Sequence, residues 1–150
     1  MTRGETAARN FCDGYNCAQS LVLAFSDRLG EQRETLARVA STFGGGMGRL
    51  REVCGAVSGM FMVLGLLSGS AEVPCQEEKT ALYAAVQTLA ARFREKNGTI
   101  LCRELLRNIE TTSGGVPEVR SAAYYSGRPC AAIIASAADL LEAYLTENKA

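Results

Sequence analysis

Six cysteines and no histidine set the chemistry open to this 150-residue chain. The thiols are Cys12, Cys17, Cys54, Cys75, Cys102 and Cys130, and the nearest two, in CDGYNC, enclose four residues. No CxxC pair occurs, so zinc-ribbon and thioredoxin signatures are absent. Without histidine a single chain cannot build a mixed Cys–His zinc site, a Rieske centre, a histidine-ligated haem or a Cys–His catalytic pair. Three roles are left for the thiols: ligating a soft metal or an iron–sulfur cluster, exchanging disulfides, or packing as small hydrophobes.

The elements that must position these thiols read as helices. Prolines stand only at 74, 117 and 129, and Ala and Leu are common while β-branched runs are rare. The pattern predicts helices over about 6–12, 16–29, 33–43, 49–68, 74–96, 101–108 and from Pro129 onward, with Glu110–Val119 as a loop. The expected architecture is an all-α, single-domain bundle of six to seven helices over 1–150, packed around a buried central helix at about 49–68. In that central helix Leu50, Val53, Cys54, Val57, Phe61 and Leu64 share one face, which turns Cys54 inward. Cys17, Cys75, Cys102 and Cys130 each fall in a first helical turn, where free N–H groups and the helix dipole favour a thiolate. Arg49, Arg51, Arg103 and Arg128 lie close in sequence to three of the cysteines and could lower thiol pKa values or offset an anionic cluster. Gly55 and Gly59 each cost roughly 1 kcal/mol relative to alanine in a helix, which points to close approach of another backbone or a cofactor.

Composition excludes several classes of function. Sixteen basic and sixteen acidic residues cancel and are scattered, so neither nucleic acid nor an anionic membrane surface is an expected partner. The longest nearly apolar run, Val53–Leu67, is too short for a membrane span, which needs about 20 residues. The N-terminal segment has no apolar signal region, so the expected compartment is the cytoplasm, where clustered cysteines serve metal or redox chemistry more often than structural disulfides.

Several segments carry a family resemblance: GYNCAQS at 14–20, FGGGMG at 43–48, CGAVSG at 54–59, CRELL at 102–106, and Cys130. Together they resemble the bacterial C_GCAxxG_C_C family of proposed redox-active proteins, over about Ala8 to Leu141. The literal string GCAxxG does not occur, and Cys-Gly-Ala-x-x-Gly at 54–59 is the nearest match. The resemblance implies redox-active or metal-binding cysteines at Cys17, Cys54, Cys102 and Cys130, with Cys12 and Cys75 as extra thiols. It also implies kinship with a region of split-Soret cytochromes c for which an iron–sulfur cluster has been proposed.

Three functions follow as expectations. In the first, the four family cysteines hold an iron–sulfur cluster or another metal for electron transfer or sensing, serving an unidentified partner protein. Gly45, Gly46, Gly48, Gly55 and Gly59 then leave room around it, and Arg103 supports its charge. In the second, the same thiols form reversible disulfides, with a helix-terminal thiol as nucleophile and Cys54 or Cys12 resolving. The third is a non-enzymatic helical interaction module with packing cysteines. Long apolar helices also suit a homodimer.

Overall fold

A computed structural model of the chain describes residues 1–148. The all-α expectation holds: the described residues form ten helical segments and no strand. They are α1 (Arg3–Cys12), α2 (Cys17–Leu23), α3 (Ser26–Leu29), α4 (Arg33–Val39), α5 (Gly44–Met47), α6 (Gly55–Ser68), α7 (Gln76–Asn97), α8 (Cys102–Leu105), α9 (Ala122–Gly127) and α10 (Cys130–Asn148). The single-domain reading of 1–150 includes Lys149 and Ala150, which lie outside the described residues.

Helix α6 sits at the centre, against α2, α7 and α10, while α1 closes over α10 and α2. Its Ala56, Val57, Met60 and Val63 are fully buried, as are Leu21 and Phe25 from the α2 side, Leu89 and Phe93 of α7, and Ile134, Ala137 and Leu141 of α10. Each large apolar side chain removed from water this way stabilises the fold by about 1.5–3 kcal/mol. Gly59 lets α6 and α2 meet, since a Cβ there would lie 2.9 Å from the Cβ of Leu21.

Several boundaries differ from the sequence reading, for local reasons. The expected helix from Asn16 to Leu29 opens as foreseen, with Asn16 as N-cap and Gln19 completing a capping box, but it breaks after Leu23, and Phe25 then caps α3. The third helix stops at Val39 because the Asn16 side-chain amide takes the carbonyls of Ala40 and Ser41, at 3.3 and 3.1 Å. Cys75, placed in a first turn, is instead the N-cap of α7. The expected helix over 101–108 shortens to α8, and α9 was not anticipated.

The largest correction concerns the central helix. It begins at Gly55 rather than near Arg49, because the preceding segment turns left-handed. Gly45, Gly46, Met47, Gly48 and Arg49 all have positive φ, between 55° and 72°, and Arg51 follows at 61°. Three glycines make this affordable, but each non-glycine residue held there costs about 1–2 kcal/mol. The turn is fastened by Arg51 N–H to Gly45 O at 3.1 Å and Glu52 N–H to Gly46 O at 3.0 Å. Leu50, expected on the buried face, is consequently 71% exposed. Residues 51–54 then run antiparallel to 100–103: Cys54 N–H bonds Ile100 O at 2.8 Å, Cys102 N–H bonds Glu52 O at 2.6 Å, and Val53 bridges Leu101. This pairing sets Cys54 beside Cys102.

Two glycines of the turn separate conformational cost from steric cost. A Cβ on Gly46 would lie 2.7 Å from the Cys102 Cβ and 2.7 Å from the Glu52 nitrogen, whereas one on Gly48 would meet nothing closer than 3.7 Å. Gly48→Ala is therefore expected to lose about 1–2 kcal/mol, the left-handed penalty alone, and Gly46→Ala about 3 kcal/mol or more. Chemical denaturation of the two variants measures the difference.

Candidate functional site: four thiols beside an arginine-lined cavity

Each of the four family cysteines stands at the N-terminal end of a helix. Cys17, Cys102 and Cys130 are the first residues of α2, α8 and α10, and Cys54 is the N-cap of α6 rather than a mid-helix residue. All four line one small apolar space of about 20 Å³, together with Gly46, Gly55 and Ile134. Convergence depends on bare backbone: a Cβ on Gly55 would sit 2.9 Å from the Cys17 Cβ and 2.8 Å from Phe43 O. Cys54 and Cys102 are buried, while Cys17 and Cys130 are partly open.

The other residues singled out from sequence are distributed unevenly. Gly45 and Gly48 line a second, larger cavity next to the thiols, and Gly59 serves the α2–α6 contact. Arg103 lies on the surface, donating to Glu52 at 3.1 Å, and lines neither cavity. Cys12 and Cys75 are exposed and line neither.

The thiols are electrostatically unlike. Cys17 and Cys130 line both cavities, and each is the largest electrostatic influence on the other. The neighbouring Cys130, and then burial, push the Cys17 thiol well above its ordinary range. The neighbouring Cys17 thiol draws Cys130 down to about 7 against the opposing effect of burial, and Arg128, Arg120 and Arg51 add to the lowering. Burial pushes Cys54 up to about 12, leaving it a neutral thiol. Arg51 Nη1 donates to Cys102 Sγ at 3.7 Å.

The larger cavity, about 230 Å³, opens onto Cys17, Cys102 and Cys130. Arg49, Arg51, Arg120 and Arg128 line it with a single carboxylate, Glu118. That carboxylate is the electrostatic hub: Arg49 reaches it at 3.0 Å, Arg51 at 4.0 Å, and Arg128 closes on its other oxygen. Burial alone would raise the Glu118 pKa, but the Thr112 N–H and then Arg128 outweigh it and hold the carboxyl below its usual range. Arg49 also donates to the carbonyls of Thr112, Gly114 and Val116, so the Glu110–Val119 loop is strapped down as one cavity wall. Arg120 donates to Phe11 O and Tyr15 O and lies 4.3 Å over the Phe11 ring. Sequence reasoning noted Arg49, Arg51 and Arg128 only as neighbours of cysteines. It missed Arg120 and Glu118, because nothing in a polar loop marks which of its charges folds back.

The profile of the family described as "Putative redox-active protein (C_GCAxxG_C_C)" matches residues 15–144. The chain belongs to that family. No curated protein and no solved structure matches it. The C_GCAxxG_C_C match takes in all four convergent thiols and the four arginines of the larger cavity, and leaves Cys12 outside. Family membership carries redox activity as its description. Among the described residues, no group of three or more Cys, Asp or Glu side chains is arranged to hold a metal ion. No helix among them is long and apolar enough to cross a membrane.

A thiol titrating near 7 rather than 9 deprotonates as pH rises through neutrality, and only the thiolate is alkylated. Iodoacetamide labelling of the reduced protein, read by peptide mass mapping, should show the Cys130 rate climbing from pH 6 and levelling off by about pH 8. Cys54, buried and neutral, should stay unlabelled throughout.

Proposed function

We propose that the chain is a thiol–disulfide redox protein whose reactive pair is Cys130 and Cys17. The observation that carries this reading is the placing of Cys17 and Cys130 together: both line the small apolar space and the arginine-lined cavity, and each is the largest electrostatic influence on the other. Cys130, as thiolate, attacks one sulfur of a substrate disulfide; that S–S bond breaks, one half leaves as a thiolate, and the other half stays on Cys130 as a mixed disulfide. Cys130 has then lost its negative charge, and with it the largest effect holding the Cys17 proton in place. Cys17 releases that proton, attacks the Cys130 sulfur, and expels the second half as a thiolate. The chain gives up two electrons and the substrate leaves as two thiols. A thiol reductant, small or carried by a partner protein, reverses the sequence.

This assigns the resolving role to Cys17, not to Cys54 or Cys12 as the sequence suggested. Cys54 is buried and does not line the larger cavity, and Cys12 is exposed away from both cavities. The cation near Cys130 comes from Arg128, Arg120 and Arg51 rather than Arg103.

A second reading, an iron–sulfur cluster for electron transfer or sensing, is favoured by one observation: four thiols converge on one apolar space. Thiolates are the right donors for it, but their arrangement does not fit. The space among them, about 20 Å³, is close to the volume needed for one water, and no three of these side chains form a metal-holding group among the described residues.

Protein prepared without air separates the readings. The dithiol reading expects no stoichiometric iron or acid-labile sulfide. After treatment with a mild disulfide oxidant, the six thiols should fall by two, with a Cys17–Cys130 link in the peptide map. Cys17→Ser should stop at the mixed disulfide, Cys130→Ser should lose the reaction, and Cys54→Ser should keep it. Stoichiometric iron and sulfide lost in Cys54→Ser would establish the cluster instead.

A further inference from the structure

We propose that the cavity above Cys130 is a binding site for small disulfides bearing carboxylate groups. The proposal deepens the dithiol reading and rests on it for the covalent step, in which the substrate S–S bond breaks as Cys130 takes one half and the other leaves as a thiolate.

Size limits the ligand first. About 230 Å³ is room for one half of a small disulfide. The strapped loop supports the same limit, because Gly115 and Pro117 form the wall that a protein substrate would have to displace.

Charge selects the ligand next. Four arginines face one carboxylate in this lining, although the chain as a whole is neutral. Three of the four are committed to the protein. Arg49 holds the loop and Glu118, Arg120 holds Phe11 O and Tyr15 O, and Arg128 pairs with Glu118. Arg51 differs. It donates to the Cys102 sulfur at 3.7 Å but reaches Glu118 only at 4.0 Å, and its side chain is only 18% exposed. A guanidinium has five donors in a flat fork suited to a carboxylate, so Arg51 retains bidentate capacity where water is scarce. Asn16 and Ser41 add neutral polar groups to the same lining.

The test uses a matched set of disulfides with two-carbon arms: 3,3′-dithiodipropionate (anionic), 2-hydroxyethyl disulfide (neutral) and cystamine (cationic). Rates with the reduced full chain are divided by rates with a cysteine peptide, which removes intrinsic differences in leaving group. The corrected preference for the anionic over the neutral probe should be about tenfold or more, should fall about tenfold in Arg51→Gln, and should largely survive in Arg51→Lys. Taking the ratio cancels any change that Arg51 makes to the Cys130 thiolate fraction. Binding is read without exchange by adipate, a sulfur-free dicarboxylate, which should raise the melting temperature by about 4 °C at ten times its dissociation constant, whereas 1,4-diaminobutane should not. A corrected preference near one, or no adipate shift, overturns the site. Adipate binding without oxidation by any disulfide overturns the dithiol reading and the substrate assignment, and a preference unchanged in Arg51→Gln removes Arg51 from the site. Should Arg51→Gln fail to fold, Arg51→Lys and adipate competition against the anionic probe decide in its place, and failure of adipate to slow that probe overturns the site.

Discussion

Five consecutive residues turning left, Gly45 to Arg49, are the constraint on which the rest of the site depends. The turn makes up most of α5 and swings the chain so that residues 51–54 pair with 100–103 instead of extending α6 backwards. Had the helix continued to Arg49, Cys54 would sit in a helical interior with its N–H groups satisfied by the helix. As an N-cap it instead shares a space with Cys17, Cys102 and Cys130. The same turn presents Arg49 and Arg51 to the cavity at positions that L residues rarely occupy.

Charge in this molecule is balanced globally and concentrated locally. Sixteen cations match sixteen anions over the chain, yet four arginines gather around Glu118 and the open thiols. A single carboxylate cannot neutralise them, so the potential over Cys130 stays positive and a thiolate is the form that the surroundings favour. Arg49 completes the arrangement from the outside by holding an otherwise irregular loop against the site. The helix ends contribute in the same sense, because the thiols face N-terminal turns rather than C-terminal ones.

Much of this was legible in the residues. The all-α class followed from long proline-free, Ala- and Leu-rich segments, and the buried stripe of α10 from the three- and four-residue spacing of Ile134, Ala137, Leu141 and Leu145. Asn16 advertised itself as a cap, and GYNCAQS, CGAVSG, CRELL and Cys130 identified the family. What could not be read was handedness. GGGMGRLR permits a left-handed turn without demanding one, and a periodic apolar pattern from Leu50 onward argued for helix until tertiary pairing with 100–103 overrode it. Arg120 and Glu118 were hidden for a related reason: their partners lie at Phe11, Tyr15, Arg49 and Arg128, and no local pattern encodes contacts at such separation.

The distance along the chain between Cys17 and Cys130 carries a consequence for the lifetime of the fold. A bond between them would enclose most of the protein in one covalent ring. In the chain-entropy account, a cross-link closing a loop of about 100 residues removes enough freedom from the unfolded ensemble to favour the folded state by about 4.7 kcal/mol. That is comparable with the whole stability of many domains, about 5–15 kcal/mol. Oxidation at this one pair would therefore tie together the two ends of the bundle, α2 and α10, and make the protein's resistance to unfolding a record of the redox history of its surroundings.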